Sequence, residues 1–251
     1  MINWCGYEWV STMDGGRRIH PKQPWQWYCD DCTYADKDGV LHLKVMDRPV
    51  EIHHYDHKTY KPTKAVGLIR SVTPFDYGEF SLEMKMPKGT YLSASFWLSG
   101  EYSWPPEIDI EEGWPEDGNW LHKTTKYFPW ILPSWRTTTN IHYLDKKGDK
   151  DSKTHAGSRN ILRCKQPLDP SENFIEYKCI WKPDSVEFFA NGKSVRKLTG
   201  KAIDKLLHNN ESPEHVMDVI INIWTEDPEQ FNVNMETELL VKNFKYTPLK
   251  K

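Results

Sequence analysis

The chain has 251 residues, a length that suits one large β domain or two smaller domains. Its 38% apolar fraction is enough for a sizeable core, which excludes a disordered chain, and its net charge of −3 offers no basic surplus for nucleic acid. Because no apolar run is long enough to cross a bilayer, a membrane partner is not expected either.

Aromatic residues are more abundant than a core requires, with 12 Trp and 12 Tyr. Large aromatic side chains tolerate partial exposure, so a surplus suggests a surface that stacks against flat groups. Sugar rings and unstacked bases are the two candidates, and the absence of basic charge favours sugars. The larger part of these side chains is nevertheless expected in the core.

The first part of the chain predicts little chemistry. Residues 1–6 show no basic stretch followed by an apolar one, so no secretion signal is visible. Five cysteines leave at least one unpaired within the chain, and Cys29 and Cys32 form a lone C-x-x-C. Without a second pair at zinc-site spacing, structural or free thiols are expected. Residues 53–57 hold three histidines and an aspartate without metal-ligand spacing, which predicts a solvated loop and no metal site.

From residue 65 onwards the dominant pattern is period-two alternation, typical of a sheet that is packed on one side. It is clearest in residues 79–86. Asn191-Gly192 predicts a two-residue hairpin, because both positions of a type I′ turn need positive φ. The other predicted strands are residues 65–71, 91–98, 174–181, 186–190, 216–224 and 236–246.

Helical periodicity is weak, and the best helix candidate is the short segment at residues 202–208. The polar run at residues 145–157 predicts an exposed loop and not a linker between domains. Short strands with Gly, Pro and Asp between them favour an antiparallel sandwich or barrel. A single domain over residues 1–251 is therefore expected.

Residues 105–113, Pro-Pro-Glu-Ile-Asp-Ile-Glu-Glu-Gly, are the most informative stretch. Proline cannot donate a ladder hydrogen bond, so the two prolines are expected to precede a strand. Alternation places Ile108 and Ile110 on the side that faces the core. The side that faces solvent then holds Glu107, Asp109 and either Glu111 or Glu112.

Crowded carboxyls raise the pKa of at least one of their number. Glycoside cleavage needs this division, because one carboxylate attacks while one protonated acid releases the leaving oxygen. The alternative is an acidic strand edge that is only solvated, which would leave the neighbouring Trp residues unexplained.

The same stretch resembles the motif of glycoside hydrolase family 16, E-[hydrophobic]-D-[hydrophobic]-E with one optional residue before the last E. Further resemblances follow in the family's order over roughly residues 65–247. They are GLIRS at 67–71, FDYGEF at 75–80, SASFWL at 93–98, YKCIWKPD at 177–184, FFANGK at 188–193 and the strand at 241–246.

The resemblance implies an all-β fold, a β-jelly-roll sandwich of two antiparallel sheets with a substrate cleft across the concave sheet. It implies a retaining endo-glycanase in which Glu107 is the nucleophile, Asp109 assists it and the last glutamate is the acid/base. An unbulged strand would make that residue Glu111 and turn Glu112 towards the core. A bulge would make it Glu112. Glu112 is favoured because, without the bulge, it would be an in-register core residue whose charge must be buried, whereas Glu111 within a bulge need not be buried.

Substrate-binding residues are expected among Trp97, Trp104, Trp114, Trp120 and His142, with ordinary core packing as the alternative for each. Metal and cofactor are not expected. Family members that bind calcium use an aspartate in the last strand, where this sequence has Lys242 or Asn243.

The resemblance leaves the polysaccharide open between β-1,3- or mixed-linkage glucan and a β-galactan such as agarose, porphyran or carrageenan. Ser93-Ala94-Ser95 is more similar to the galactanases, and Arg136 and Arg159 could meet sulfate groups. The other functions considered are a transglycosylase on the same fold and a lectin-like binding module. A monomer whose partner is a polysaccharide is expected, secreted or periplasmic as the resemblance implies.

Overall fold

A computed structural model of the protein describes residues 1–88, 92–100, 104–113, 136–142, 158–161, 168–200, 203, 216–225 and 238–249. Within these residues, no helix has the length and apolarity needed to cross a membrane. Nearly all of the regular structure is β. The strands, β1 to β19 in chain order, are Ile2–Trp4, Tyr7–Val10, Gln26–Tyr28, Thr33–Ala35, Leu41–Asp47, Ile52–His53, Thr59–Tyr60, Lys64–Val66, Leu68–Ser71, Gly78–Lys85, Leu92–Gly100, Glu107–Gly113, Arg136–His142, Ser158–Ile161, Ile175–Lys182, Ser185–Ala190, Lys193–Thr199, Met217–Thr225 and Glu238–Pro248.

Two large sheets form the sandwich expected from the sequence. One has eight strands in the order β1-β2-β9-β18-β11-β12-β13-β14, and the other has nine, with β17-β16-β15-β10-β19-β5-β8-β3 in sequence and β4 beside β5. All pairs but one are antiparallel, the exception in the described chain being β3 with β8. The eight-stranded sheet carries the cleft described below.

The core between the sheets follows from the alternation in each strand. In β10, Phe80, Leu82 and Met84 are buried, and the residues between them are half-buried. Trp9 and Trp181 are fully buried as well, so part of the aromatic surplus fills the sandwich. The Asn191-Gly192 turn has φ values of 46° and 72°, as its two residues predict.

One predicted strand is divided in the structure. Residues 65–71 form β8 and β9, which belong to different sheets, and the chain crosses between them at Gly67. A Cβ at Gly67 would lie 2.7 Å from both the Cys32 carbonyl oxygen and the Leu43 Cβ. The close approach that the crossing requires therefore admits only glycine, and alternation alone could not reveal it.

The N-terminal strands β1 to β5 were not predicted. Strands β1 to β4 are only three or four residues long, too short to show alternation, whereas β5 does alternate and was missed. The histidine segment is also less solvated than expected, since His54 is only 9% exposed and its Nδ1 lies 2.9 Å from Asp56 Oδ1. The predicted loop at 145–157 lies outside the described residues. So does the predicted helix at 202–208, apart from Ile203, which is helical and buried.

Candidate active site

Strand β12 begins directly after the two prolines and runs between β11 and β13 in the eight-stranded sheet. The Pro106 carbonyl accepts a hydrogen bond from the Gly100 N–H at 2.9 Å, which continues the pairing to the strand entry. Ile108 and Ile110 are 0% and 2% exposed in the core. Their alternation directs Glu107 and Asp109 to the other face, where both line the cleft.

A β-bulge in β12 decides which of the two last glutamates reaches the cleft. Against β11, Asp109 pairs with Trp97 and Glu111 with Phe96, so Ile110 is an extra residue. The register against β13 shifts in the same stretch, between Asp109 and Glu112. As a result Glu111 is buried at 1% exposure, and Glu112 is half-buried and lines the cleft.

Glu107 stands at the centre of a short hydrogen-bonded cluster. The indole Nε1–H of Trp104 donates to Glu107 Oε2 at 2.6 Å. His142, directly opposite Glu107 on β13, places its Nε2 at 3.3 Å from Glu107 Oε1 and 3.1 Å from Asp109 Oδ2. Because the two carboxyls also contact each other through a hydrogen bond, the four side chains hold one another in place.

The surroundings of Glu107 favour its protonated form. Burial, followed by the charge and hydrogen bond of Asp109, raises the pKa of Glu107 well above its ordinary value. The charge of Glu112 acts in the same direction, and the Trp104 hydrogen bond opposes it. The charge of Glu112 therefore also disfavours ionisation of Glu107.

Glu111 has a different environment. Burial in the core and the neighbouring Glu112 charge raise the pKa of Glu111 well above its usual range. Its Oε2 is buried and has no hydrogen-bond partner in the described residues. A carboxylate there would be an unpaired buried charge, so this environment favours the neutral, protonated form of Glu111.

The cleft is a cavity of about 720 Å³ across the eight-stranded sheet. Trp97 lies on its floor with the Nε1–H donating to Asn222 Oδ1 at 2.8 Å, and the Ser95 hydroxyl donates to the same oxygen at 2.8 Å. Trp104 is 37% exposed at the cleft edge, with its ring 5.7 Å from the His142 ring. Among the residues that the structure describes, four tryptophans line the cavity, namely Trp25, Trp97, Trp104 and Trp224.

The structure describes only some of the substrate-binding residues that the sequence predicts. It brings Trp97, Trp104 and His142 to the cleft together with the carboxyls. Trp114 and Trp120 lie outside the described residues, as do the side chains of Arg136 and Arg159.

Sequence reasoning missed one side of the cleft, formed by residues 13–28. The Trp25 Nε1–H attaches this segment to β18 by donating to the Thr225 carbonyl at 3.0 Å. Trp25-Gln26-Trp27-Tyr28 was the available signal, since three aromatics in four residues are unusual for a loop. Asn222 was missed as well, because a single polar residue inside an apolar strand does not disclose which way it points.

One group of the described side chains could hold a metal ion. Glu107, Asp109 and His142 each offer a ligand atom, and these atoms lie within 4.8 Å of one another. Where family members would use a calcium-binding aspartate, Lys242 Nζ lies 3.2 Å from Glu83 Oε2 and the Asn243 amide donates to Glu83 Oε1 at 2.6 Å. Glu83 therefore already has a cation and an amide as partners.

Comparisons with known proteins show which family the chain resembles. A family model described as "Glycosyl hydrolases family 16" matches residues 22–239. A curated relative, a β-glucanase from Brevibacillus brevis, is 24% identical over 204 residues, which are 79% of this chain and 59% of that protein. The chain thus spans less than two thirds of that relative's length.

Two solved structures share the fold. The catalytic domain of an endo-1,3-β-glucanase (laminarinase) from Thermotoga petrophila RKU-1 has a TM-score of 0.64 at 18% identity, covering 90% of this chain and 84% of that one. Porphyranase B from Zobellia galactanivorans has a TM-score of 0.62 at 21% identity, covering 95% and 86%. At these identities the likeness establishes the jelly-roll fold alone.

Proposed function

The chain belongs to the glycosyl hydrolases of family 16, and from that membership we propose that it is a retaining endo-β-glycosidase acting on internal bonds of a polysaccharide. One observation carries the proposal: Glu107, Asp109 and Glu112 line the same tryptophan-rich cleft from a single strand. Residues 1–251 would act as one catalytic domain.

The reaction has two displacements. Glu107 attacks the anomeric carbon as a carboxylate, the glycosidic C–O bond breaks, and its electron pair stays on the leaving oxygen, which takes a proton from Glu112. Glu112, now ionised, removes a proton from water. The water oxygen attacks the same carbon, and the ester bond to Glu107 breaks and restores its carboxylate.

Proton placement gives Asp109 its role. Because the pKa of Glu107 is raised, the Glu107–Asp109 pair tends to hold one proton. Attack requires that proton to reside on Asp109, whose O–H then donates to Glu107. The Trp104 N–H stabilises ionised Glu107, and the His142 Nε2 lies within hydrogen-bonding distance of Asp109 Oδ2.

Glu112, and not Glu111, is proposed as the acid/base. Glu112 lines the cleft, whereas Glu111 lies in the core behind the strand, where no sugar oxygen can reach it. The neutral form of Glu111 follows from burial alone and implies no transfer of its proton to substrate.

The substrate remains within two classes. The names of the relatives include a β-glucanase, a laminarinase and a porphyranase, so we propose a β-1,3- or mixed-linkage glucan, or a β-galactan such as agarose, porphyran or carrageenan. The cleft tryptophans suit either class, because both present apolar sugar faces. Because the proposed substrate is a polysaccharide, we propose that the protein acts outside the cytoplasm.

Single substitutions test the roles of the glutamates. The Gln variants are assayed on polysaccharide, and the Gly variants are assayed with azide on an aryl glycoside, whose leaving group needs little acid assistance. We expect Glu107→Gln, which removes the nucleophile, and Glu112→Gln, which removes the acid/base, each to lower kcat on polysaccharide by at least about a hundredfold, while Glu111→Gln stays near wild type. Azide should rescue Glu112→Gly with a β-glycosyl azide and Glu107→Gly with an α-glycosyl azide. Loss of activity in Glu111→Gln with retention in Glu112→Gln would reverse the assignment.

A polysaccharide panel with product profiling tests the activity itself. Internal cleavage should give short oligosaccharides and a rapid fall in viscosity, with the β-anomer formed first. Products longer than the substrate would indicate a transglycosylase on the same fold. Binding of a polysaccharide without any cleavage would indicate a lectin-like module.

A further inference from the structure

One side of the cleft is basic, although the reaction centre is acidic. Arg17, His20 and Lys22 line the cavity that also holds Glu107 and Glu112, and Asp14 lies beside Arg17 in the same wall. A neutral glycan does not require the fixed cations Arg17 and Lys22 beside it. Their presence indicates an anionic partner, and Asp14 in the protein or a charged group on the ligand are the two candidates.

The segment that holds these side chains is fixed by its own hydrogen bonds. The Met13 N–H donates to the Arg17 carbonyl at 2.9 Å and encloses a turn in which Gly15 and Gly16 have positive φ. Further along, the Tyr28 N–H donates to the Arg18 carbonyl at 2.7 Å. The Arg18 side chain is itself paired with Asp30 at 2.9 Å, so it is not available to a ligand.

Arg17 has donors to spare. Its Nε donates to the Asp14 carbonyl at 3.1 Å, and its Nη2 lies 3.5 Å from Asp14 Oδ2. The other oxygen of that carboxyl, Oδ1, is buried. Arg17 Nη1 has no partner in the described residues, and the side chain is 27% exposed. Asp14 therefore orients the guanidinium without occupying it.

His20 and Lys22 complete the set. The Lys22 backbone N–H donates to His20 Nδ1 at 3.2 Å, which leaves His20 Nε2 as the protonated, donating nitrogen. Burial, and then the charges of Arg17, Lys22 and His54, lower the pKa of His20. Arg17, His20 and Lys22 lie on the wall of the same cavity. The Lys22 ammonium forms no ion pair in the part of the chain that the structure describes.

We propose that Arg17, His20 and Lys22 form an anion subsite, which binds a sulfate ester or a carboxylate on a sugar unit away from the cleaved bond. This rests on the proposed function and makes the substrate an anionic polysaccharide. The guanidinium presents a planar fork to two oxygens, the ammonium supplies a second charge, and the imidazole N–H donates to a third oxygen.

Binding to a catalytically inactive protein tests the subsite without requiring cleavage. In a Glu107→Gln background, oligosaccharides of a sulfated galactan, of a uronate-bearing glycan and of neutral lichenan are titrated calorimetrically. Lys22→Gln should weaken binding of the anionic ligand about tenfold, a loss of about 1.4 kcal/mol, and leave neutral binding unchanged. Lys197→Gln, on the other sheet, is the matched control.

Other results would decide the remaining points. The ligand weakened by Lys22→Gln identifies sulfate or carboxylate as the source, and Arg17→Lys should cost affinity although it keeps the charge. Equal affinities in Lys22→Gln and its parent, or equal losses for neutral and anionic ligands, would overturn the subsite. Failure of the proposed function would instead appear as no cleavage of any polysaccharide by the native protein, whatever the binding data.

Discussion

Glu111 and Glu112 are consecutive residues whose side chains lie on opposite faces of one strand. Glu111 is 1% exposed in the core, and Glu112 lines the cleft. The bulge at Ile110 decides which of the two glutamates faces the core, because one extra residue turns both Ile110 and Glu111 inward. A carboxyl group is thereby placed among the side chains of the core.

The buried acid should make stability depend on pH. The raised pKa of Glu111 means that the folded state retains a proton that the unfolded state releases above pH 4.5. Unfolding free energy should therefore fall as pH rises from 4.5 towards the folded pKa, by at most about 1.4 kcal/mol per pH unit.

Glu111→Met removes this proton and should unfold at higher denaturant concentration than wild type, with the gap widening between pH 5 and pH 8. Glu107 contributes to both proteins and cancels in the difference. Glu79→Met, at a half-buried position of β10, is the control and should show no such widening. A gap that is constant with pH would mean that Glu111 is ionised in the folded protein.

The sequence predicted the sandwich better than it predicted the cleft. Strands such as β10 and β15 were foreseen within two residues, since one wet face and one core face produce strict alternation. Gly67 and the residue 13–28 segment were not foreseen, because a chain crossing and a loop wall depend on contacts remote in sequence. The ambiguity between Glu111 and Glu112 could be stated from the sequence, but the strand register was needed to place each side chain.

Trp104 should tune the ionisation of Glu107. Its N–H donates to Glu107 Oε2 and lowers the pKa of that carboxyl, against the effect of burial. Trp104→Phe keeps a ring at the cleft edge and removes the donor. We expect the acidic limb of kcat/KM against pH to move to higher pH, because the nucleophile then ionises later.

Trp27→Phe is the matched control, since the Trp27 Nε1–H donates to the Arg48 carbonyl and not to a cleft residue. It should leave the pH profile unchanged. A uniform loss of rate in Trp104→Phe, with the acidic limb in place, would assign Trp104 to sugar stacking only.

Asn222 should position the cleft floor. Its Oδ1 accepts hydrogen bonds from both the Ser95 hydroxyl and the Trp97 indole. Asn222→Leu removes the acceptor and frees Trp97, so KM should rise about tenfold, the loss of about 1.4 kcal/mol. Asn222→Asp retains the acceptor and should keep KM closer to wild type. Equal KM values in both variants would show that Trp97 does not need this anchor.

The Glu107–Asp109–His142 cluster should also bind zinc. The His142 Nε2 lies 3.3 Å from Glu107 Oε1 and 3.1 Å from Asp109 Oδ2. Zinc bonds of about 2.0–2.2 Å to nitrogen and oxygen put neighbouring ligands at roughly such separations. Because the ion would occupy the nucleophile, Zn²⁺ should inhibit competitively with polysaccharide, and more strongly as pH rises and the ligands lose protons.

His142→Asn removes the nitrogen ligand, and its inhibition constant for Zn²⁺ should rise about tenfold or more, whatever its residual activity. Zinc also binds thiols, so the double variant Cys29→Ser with Cys32→Ser is the control and should be inhibited like wild type. If that double variant loses the inhibition while His142→Asn keeps it, the metal acts through the C-x-x-C pair and the carboxylate cluster does not hold it. A non-competitive pattern would lead to the same conclusion, because an ion on Glu107 must exclude the sugar that Glu107 attacks.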